Sequence, residues 1–308
     1  MRILLTGASG MLAAEVVPQL LAYGYEVVQT DFRPRSAEIT QLDICDFEKV
    51  FSEIAQVNPE IIFHLGAETN VDLCEQNPDH AFRVNTLGTE NIVLACQKNK
   101  IPLVYISTGS VFSGQSKTPY TEFDAPGPVN VYAQSKLQGE HIVQRLLHEY
   151  YIVRAGWMVG GWEIDKKFVY KILLQLLEGK KELLVVSDKF GSMTFTKDFA
   201  ANLLKIVSNG HYGTYHLANQ GVVSRYDIAV KIVEYMGLTK QVKVVAIDSS
   251  QYPLPAPRPD FEVIRNYRLD LMKKNEMPRW EDSLRAYINF NKDNGNFSRE
   301  MFPAEKIK

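Results

Sequence analysis

A tyrosine and a lysine four residues apart could together transfer a proton. Tyr132 and Lys136 are the first and last residues of the segment Tyr132-Ala133-Gln134-Ser135-Lys136. On a helix this spacing places the phenol and the ammonium on one face. A nearby cation favours the phenolate and lowers the pKa of a tyrosine from about 10 towards the range of a general acid. Taken alone, this spacing is more often that of an exposed helix pair without a catalytic role.

Two hydroxyl residues, Ser107 and Thr108, follow the apolar run at residues 103–106. If this run is a strand of a doubly wound sheet, the hydroxyls lie beyond its carboxyl end, where such sheets bind their ligands. There they could hydrogen-bond a substrate carbonyl. Serine and threonine are also ordinary turn residues. A role in substrate binding is therefore indicated only by the position of this pair in the order of motifs along the chain.

A glycine-containing turn near the start of the chain, at residues 6–13, could bind a pyrophosphate. Gly7 permits a tight turn, and Gly10 lets the backbone approach a phosphate closely. The N-terminus of the following helix offers free N–H groups to the anion. A plain connection between a strand and a helix is the alternative explanation.

Asp31 lies at the end of the second predicted strand, 21 residues after Gly10. A carboxylate in this place can accept both hydroxyls of an adenosine ribose and would repel a 2′-phosphate. Asp31 therefore favours NAD as the cofactor. Arg33 and Arg35 follow closely, so NADP stays open.

Short apolar runs alternate with amphipathic segments through the first half of the chain. Strands are predicted at 3–5, 25–29, 61–65, 103–106 and 151–154, and helices at 11–23, 47–57, 79–98 and 131–148. Strands that alternate with helices pair in parallel through right-handed crossovers. The sequence therefore predicts an α/β fold with a doubly wound parallel sheet of the Rossmann type.

The pattern is less regular after Gly156. Helices are predicted at 168–177, 198–208 and 226–237, and strands at 183–187, 213–217 and 241–246. We expect a dinucleotide-binding domain at 1–156, to which parts of 190–220 return, and a smaller, discontinuous C-terminal lobe at 157–308 that mainly binds substrate. Four prolines exclude a helix at 252–259, which is either a linker or a rigid wall around a ligand.

Composition and charge narrow the classes of protein. The 308 residues are 45% hydrophobic and 23% charged, as in a soluble globular protein, and the net charge of -2 gives no general attraction to nucleic acid or membranes. The apolar opening ends at Thr6-Gly7, too early for a signal peptide. The cysteines and histidines form no Cys-x-x-Cys or His-x-x-x-His pair, so we expect reduced thiols, no visible metal site and a cytoplasmic location.

The ordered series of glycine turn, acidic strand end, hydroxyls and Tyr-x-x-x-Lys resembles the extended short-chain dehydrogenase/reductase family. The closer resemblance is to its dTDP-4-dehydrorhamnose reductase branch, and it covers almost the whole chain. Further matching motifs are Leu42-Asp43-Ile44, His64-Leu65-Gly66-Ala67-Glu68-Thr69, Val84-Asn85-Thr86-Leu87-Gly88, Asn130-Val131-Tyr132, Gly139-Glu140, Phe190-Gly191-Ser192, Gly213-Thr214-Tyr215-His216 and Arg258-Pro259.

The resemblance implies a role for each matching residue. Tyr132 would be the catalytic acid, Lys136 its partner and a contact of the nicotinamide ribose, and Thr108 the residue that polarises the sugar carbonyl. The remaining cofactor contacts would be Gly7, Ser9, Gly10, Met11, Leu12, Asp31, Asp43, Ile44, Leu65, Gly66 and Ala67. The substrate contacts would be Thr69, Thr108, Trp157 and Arg258, the last as a grip on a diphosphate.

The implied activity is the NAD(P)H-dependent reduction of a keto group on a nucleotide-linked deoxysugar. Two alternatives are a nucleotide-sugar 4-epimerase that retains its NAD and a non-catalytic, NAD(P)-binding regulatory subunit. The expected partners are the nucleotide sugar and a second copy of the chain in a homodimer.

Three positions, Gly109, Ser110 and Glu15, bear on how far the resemblance extends. The family commonly has Ser-Thr-Asp-Tyr-Val-Phe where this chain has Gly109 and Ser110 in place of the aspartate and the tyrosine. Because that tyrosine usually lies near the substrate, the identity of the sugar is open. Glu15 matches a carboxylate that binds magnesium at a dimer contact in some members, although an exposed helix acid is the favoured interpretation here.

Overall fold

Seven parallel strands form the main sheet of the computed structural model, which describes residues 1–165 and 167–297. The strands are β1 (Arg2–Thr6), β2 (Glu26–Asp31), β3 (Ile39–Gln41), β4 (Ile61–His64), β5 (Leu103–Thr108), β6 (Tyr150–Ala155), β7 (Trp157–Val159), β8 (Glu182–Val186), β9 (Phe190–Gly191), β10 (Met193–Phe195), β11 (Gly213–His216), β12 (Val223–Ser224), β13 (Lys243–Ile247) and β14 (Phe261–Glu262). The main sheet has the order β11-β6-β5-β4-β1-β2-β3. This order reverses direction between β1 and β4, which is where doubly wound sheets bind ligands.

Helices cover both faces of the main sheet. The helices are α1 (Ala13–Ala22), α2 (Phe47–Val57), α3 (Val71–Gln76), α4 (Pro78–Phe82), α5 (Gly88–Asn99), α6 (Val131–Leu146), α7 (Phe168–Leu177), α8 (Thr196–Ser208), α9 (Arg225–Tyr235), α10 (Tyr267–Leu271) and α11 (Trp280–Asp293). Apolar residues of α1 and α8 pack with Ile3 and Leu5 on one face. Residues of α2, α5 and α6 pack with Leu4 on the other face. The predicted doubly wound α/β fold is confirmed.

A second core lies outside the main sheet. It joins buried apolar residues of α7, α9 and α11 to those of β8 and β10. Three small sheets accompany it: β7 with β10, β8 with β13, and β9 between β12 and β14.

Most long elements lie where the sequence predicts them, but one predicted helix is interrupted. The segment predicted as a single helix at 79–98 consists of α4, a π-helical turn at Arg83–Leu87, and α5. The apolar spacing does not reveal this turn, because the turn is stabilised by contacts of Asn85 with distant residues. The predicted strands at 183–187, 213–217 and 241–246 are β8, β11 and β13, whereas β3, β7, β9, β10, β12, β14, α3, α10 and α11 were not predicted.

The main sheet includes one strand, β11, from the second half of the chain. β11 pairs with β6 from Gly213↔Tyr151 to His216↔Arg154, and α8 packs against α1. The boundary at residue 156 between a cofactor domain and a substrate lobe stays a prediction. Among the described residues, no helix combines the length and the apolar character needed to cross a bilayer.

A buried histidine links β1 and β4 beneath the glycine turn. His64 is hydrogen-bonded through Nδ1 to Thr6 Oγ1 at 2.7 Å and through Nε2 to Thr89 Oγ1 at 3.1 Å. The Thr89 hydroxyl donates its proton to the Asn85 carbonyl, so Nε2 must be the protonated nitrogen of a neutral imidazole. Burial, with a smaller effect of Lys136, lowers the pKa of His64 to about 3.

The pKa of His64 predicts a loss of stability in acid. Between pH 6.5 and 3 the unfolded chain protonates this residue and the folded chain does not, so protons favour unfolding as the pH falls. Replacing His64 by Gln should reduce the difference in unfolding free energy between pH 7 and pH 5 by about 2 kcal/mol. Urea titrations at both pH values measure this difference. His141→Gln, on an exposed part of α6, should leave it unchanged, and an unchanged difference in the His64 variant would contradict the assignment.

Candidate active site

The N-terminus of α6 carries Tyr132 and Lys136 across the carboxyl ends of the central strands. Asn130 caps this helix, because its side chain accepts a hydrogen bond from the Ala133 N–H at 2.9 Å. The Asn130 amide also donates to the carbonyl of Pro257 at 3.0 Å. The proline-containing segment 252–259 therefore packs against the start of the helix, which favours the wall over the linker.

The phenol of Tyr132, the predicted proton donor, lies in the first turn of α6. Burial raises the pKa of Tyr132 well above its usual value, and the nearby Cys74 and Glu262 raise it further. The Thr108 hydroxyl interacts with the phenol and opposes this increase. Tyr132 is therefore protonated through the neutral pH range, as a proton donor must be.

Lys136 is almost fully buried one turn along α6. Its Nζ lies 4.1 Å from the centre of the Tyr105 ring. Burial lowers the pKa of Lys136 to about 7, and the carboxylate of Glu140 opposes this decrease. Glu140 itself is paired with the buried Arg154, with Oε2 2.6 Å from Nη2. A lysine with this pKa changes its charge within the physiological range.

The predicted fall in the pKa of Tyr132 is wrong for this structure: a charged Lys136 favours the phenolate, but the pKa of Tyr132 is raised overall. Removing the phenolate from water outweighs any attraction by the lysine, so the pKa of Tyr132 rises. Helical spacing indicates only that two side chains share a face, whereas the sign of the shift depends on how deeply the surrounding chain buries them.

Asn85 connects α6 to the loop after β4, a role that was not predicted from the sequence. Its Oδ1 accepts from the Glu68 N–H at 2.8 Å, and its Nδ2 donates to Ser135 Oγ at 3.0 Å. It lies in the π-helical turn and is completely buried. The sequence signal for this buried polar contact was an asparagine within an otherwise regular amphipathic pattern.

The glycine turn fits a bound pyrophosphate. Gly7 has φ +77°, and a Cβ there would lie 2.6 Å from the backbone nitrogen of Gly66, so the turns after β1 and β4 meet without side chains between them. No side chain caps α1. Within residues 1–165 and 167–297, the N–H groups of Met11 and Leu12 have no acceptor, and both are available to an anion.

Asp31 is held at the edge of this turn. Its carboxylate accepts from the Ser9 N–H at 3.0 Å and from the Arg33 N–H at 2.8 Å. Each oxygen uses one lone pair in these bonds and keeps one for a ribose hydroxyl. Arg33 and Arg35 are exposed beside it, so the same surface offers cations to a 2′-phosphate.

The remaining predicted cofactor contacts surround the same edge of the sheet. Asp43 accepts from the Cys45 N–H at 2.9 Å. Ile44 lies against α5, where a Cβ at Gly88 would approach its side chain to 2.8 Å. Leu65 donates its N–H to the Thr6 carbonyl at 3.1 Å, and Gly66 and Ala67 follow it in the loop after β4. The fold brings all of these residues to the ends of β1, β2 and β4.

The hydroxyl pair lies at the end of β5, as expected. Thr108 Oγ1 accepts from the Ser110 N–H at 3.1 Å. Ser107 Oγ is buried and has no hydrogen-bond partner among the residues that the structure describes. Because an unsatisfied buried hydroxyl is costly, it is a candidate donor to a group bound at this edge.

Trp157 stands on the substrate side, at the start of β7. Its indole packs against Gly191, where a Cβ would lie 2.5 Å from the ring. The indole Nε1–H donates to Glu262 Oε1 at 2.5 Å, and the Arg225 guanidinium lies 3.6 Å from the ring centre. Neither Glu262 nor Arg225 was singled out from the sequence, because β14 and α9 reach Trp157 only in the folded chain.

The predicted substrate contacts Arg258 and Thr69 differ in their surroundings: Arg258 is hydrogen-bonded within the protein, and Thr69 is exposed. Arg258 donates to Asp72 Oδ1 at 2.9 Å and to the carbonyl of Ala256 at 2.7 Å, so its guanidinium is partly committed to the protein. Thr69 is exposed in the loop after β4.

Glu15 lies on α1, where burial raises the pKa of its carboxyl group and Lys197 opposes that effect. No group of three histidine, cysteine or acidic residues among the described residues is arranged to hold a metal ion.

Comparison with known proteins identifies the family. The family model described as "RmlD substrate binding domain" matches residues 1–292. The chain belongs to this family. A dTDP-4-dehydrorhamnose reductase from Mycolicibacterium smegmatis is 34% identical over 93% of this chain and 85% of its own length. The predicted resemblance to the extended short-chain dehydrogenases/reductases is thereby confirmed, as is an NAD(P)-dependent oxidoreductase that acts on a sugar.

Solved structures agree with this assignment. A dTDP-4-dehydrorhamnose reductase from Clostridium acetobutylicum is 36% identical, with a TM-score of 0.87, over 94% of this chain and 99% of that one. The Bacillus anthracis reductase, solved in complex with NADP, is 32% identical, with a TM-score of 0.86 and the same coverage. NAD or NADP is confirmed as the cofactor class, and the preference for NAD stays a prediction.

The approach of Gly7 to Gly66 predicts a defect in cofactor binding. Replacing Gly7 by Ala places a methyl group against the Gly66 backbone and should raise the Kd for NADH or NADPH roughly 10-fold or more, since the pyrophosphate turn must open. Gly24→Ala is the matched control, because Gly24 has φ +78° with nothing within 4 Å. Fluorescence titration measures both variants, and equal losses would mean that backbone strain alone is responsible.

Proposed function

We propose that this protein reduces the 4-keto group of a dTDP-linked 6-deoxysugar, as dTDP-4-dehydrorhamnose reductases do, with NADH or NADPH. The observation that supports this proposal most is that the start of α6, with Tyr132, packs against the end of β5, so that the phenol lies beside Thr108. A carbonyl oxygen bound there would have two hydroxyl groups within reach. The buried surroundings strengthen hydrogen bonds to an oxygen that becomes negative during the reaction.

The bound nicotinamide would supply a hydride to the carbonyl carbon. Tyr132 would donate its proton to the carbonyl oxygen, so that hydride and proton together produce a hydroxyl group. Thr108 would hold the same oxygen before and after the transfer. Lys136 would hold the ribose of the cofactor and, when charged, favour loss of the proton from Tyr132.

The proposal extends to the organisation of the chain. Residues 1–156 would bind the dinucleotide, together with parts of 190–220, and residues 157–308 would mainly bind the sugar. The enzyme would act in the cytoplasm, and its three free cysteines suit a reducing compartment. We propose a homodimer as its assembly.

Tyr132→Phe removes the proton donor and keeps the ring. We expect kcat to fall roughly 100- to 10,000-fold, the range of general acid catalysis, while the Kd for the cofactor stays nearly unchanged. Oxidation of NADH and NADPH with dTDP-4-dehydrorhamnose measures the rate, and Tyr23→Phe, at an exposed tyrosine, is the control. Unchanged turnover would refute the role of Tyr132. A wild-type protein that retains NAD and interconverts epimers without net oxidation would instead be an epimerase.

Arg258 allows a test of diphosphate binding. Arg258→Ala should raise KM for the nucleotide sugar roughly 10-fold or more, because a guanidinium that contacts a phosphate is lost, with little change in kcat. Asp72→Asn breaks the ion pair with Arg258 but keeps the guanidinium and should change KM less than about 3-fold. Equal effects of the two variants would assign Arg258 to anchoring the proline-containing segment only.

A further inference from the structure

The carboxylate of Glu262 is buried on the substrate side of the site, with 8% of the residue exposed. Ser110 Oγ donates to its Oε2 at 2.6 Å, and Trp157 Nε1 donates to its Oε1 at 2.5 Å. Two neutral donors from separate parts of the chain therefore fix the plane of this carboxylate. A buried charge requires such partners, because removing it from water is costly.

Both departures from the family sequence meet the segment that carries Glu262. A Cβ at Gly109 would lie 3.0 Å from the Ile264 side chain, so a larger residue there would press on this segment. Ser110, in place of the family's tyrosine, forms the hydrogen bond to Glu262. The short side chains at 109 and 110 thus let residues 261–264 approach the end of β5, with a carboxylate facing the region of the missing phenol.

Glu262 keeps the capacity to bind a further donor. An ionised carboxylate has about four acceptor sites, and the two described bonds use one on each oxygen. Arg225, stacked on Trp157, is the nearby cation: burial lowers the pKa of Arg225 to about 10, and Glu262 opposes that decrease. Glu262 and Arg225 thus both contact the Trp157 indole, close enough for their charges to interact.

The position of Glu262 relative to Tyr132 indicates which part of a sugar it would meet. Ser110, whose hydroxyl donates to Glu262, also donates its N–H to Thr108 Oγ1 at 3.1 Å. The carboxylate therefore lies near the hydroxyl that would hold the carbonyl oxygen, and its charge helps to raise the pKa of the Tyr132 phenol. In a 6-deoxy-4-keto sugar, carbon 3 carries the only hydroxyl adjacent to that carbonyl.

We infer that Glu262 determines sugar specificity by accepting a hydrogen bond from the 3-hydroxyl of the substrate, with Ser110 and Trp157 as positioning residues. The inference rests on the proposed function, because it places the 4-keto group at Tyr132. The carboxylate replaces the family's phenol as the polar group on this wall of the pocket. It makes the enzyme selective for sugars that carry a hydrogen-bond donor at carbon 3.

The test compares two substrates in two proteins. Wild type and Glu262→Gln are assayed for NADPH and NADH oxidation with dTDP-4-dehydrorhamnose and with its 3-deoxy analogue. We expect Glu262→Gln to lower kcat/KM for the hydroxylated sugar roughly 10- to 100-fold, as for a lost hydrogen bond to a charged group. The value for the 3-deoxy analogue should change less than about 3-fold. Glu234→Gln, at a solvent-exposed glutamate, should change neither value.

Binding measurements distinguish a failure of this inference from a failure of the proposed function. Calorimetric titrations of dTDP-rhamnose and its 3-deoxy analogue into both proteins require no turnover, and an unchanged Tm shows that Glu262→Gln is folded. Equal losses for both sugars in rate and in Kd would overturn the inference, since Glu262 would then only hold Trp157. If wild type oxidises no cofactor with any of these sugars, the proposed function fails. The binding titrations then decide the inference: it holds if Glu262→Gln weakens binding of the 3-hydroxyl sugar and not of its 3-deoxy analogue.

Discussion

The site depends on how closely α6 approaches β5. A Cβ at Gly139 would lie 2.4 Å from the Tyr105 hydroxyl, so the helix can reach its position only because residue 139 has no side chain. The Tyr105 hydroxyl then donates to the carbonyl of Lys136 at 3.3 Å. This contact between helix and strand sets the depth at which the first turn of α6, with Tyr132, stands above the end of the sheet.

The same approach creates the electrostatics of the site. A lysine that enters so deeply between helix and sheet loses its water, and the pKa of Lys136 falls to about 7. The face of the Tyr105 ring and the carboxylate of Glu140, itself paired with Arg154, partly offset this loss of hydration. Tyr132 loses water too, which keeps its phenol protonated. Burial by the fold, more than the pairing of two neighbours on a helix, therefore determines the protonation states here.

The region around Trp157, where we propose that the sugar binds, is formed by a different part of the chain and by contacts between short strands. Trp157 packs on the bare backbone of Gly191, and β14 brings Glu262 to its indole nitrogen. The bond between Trp157 and Glu262 joins residues 105 positions apart, and short strands rather than the large sheet hold both contacts. The proposed cofactor edge is formed by regular elements with tight turns, whereas the proposed sugar pocket is formed by short strands and loops.

The sequence by itself determined the parallel sheet, the glycine turn and the order of the catalytic candidates, because period, turn chemistry and spacing are local properties of the chain. It did not reveal the π-helical turn around Asn85, the partners of Trp157, or the direction in which the pKa of Tyr132 moves. Those features depend on groups that are distant in the chain and adjacent only after folding. Tertiary structure decided them, since burial and hydrogen bonding between remote residues have no counterpart in local pattern.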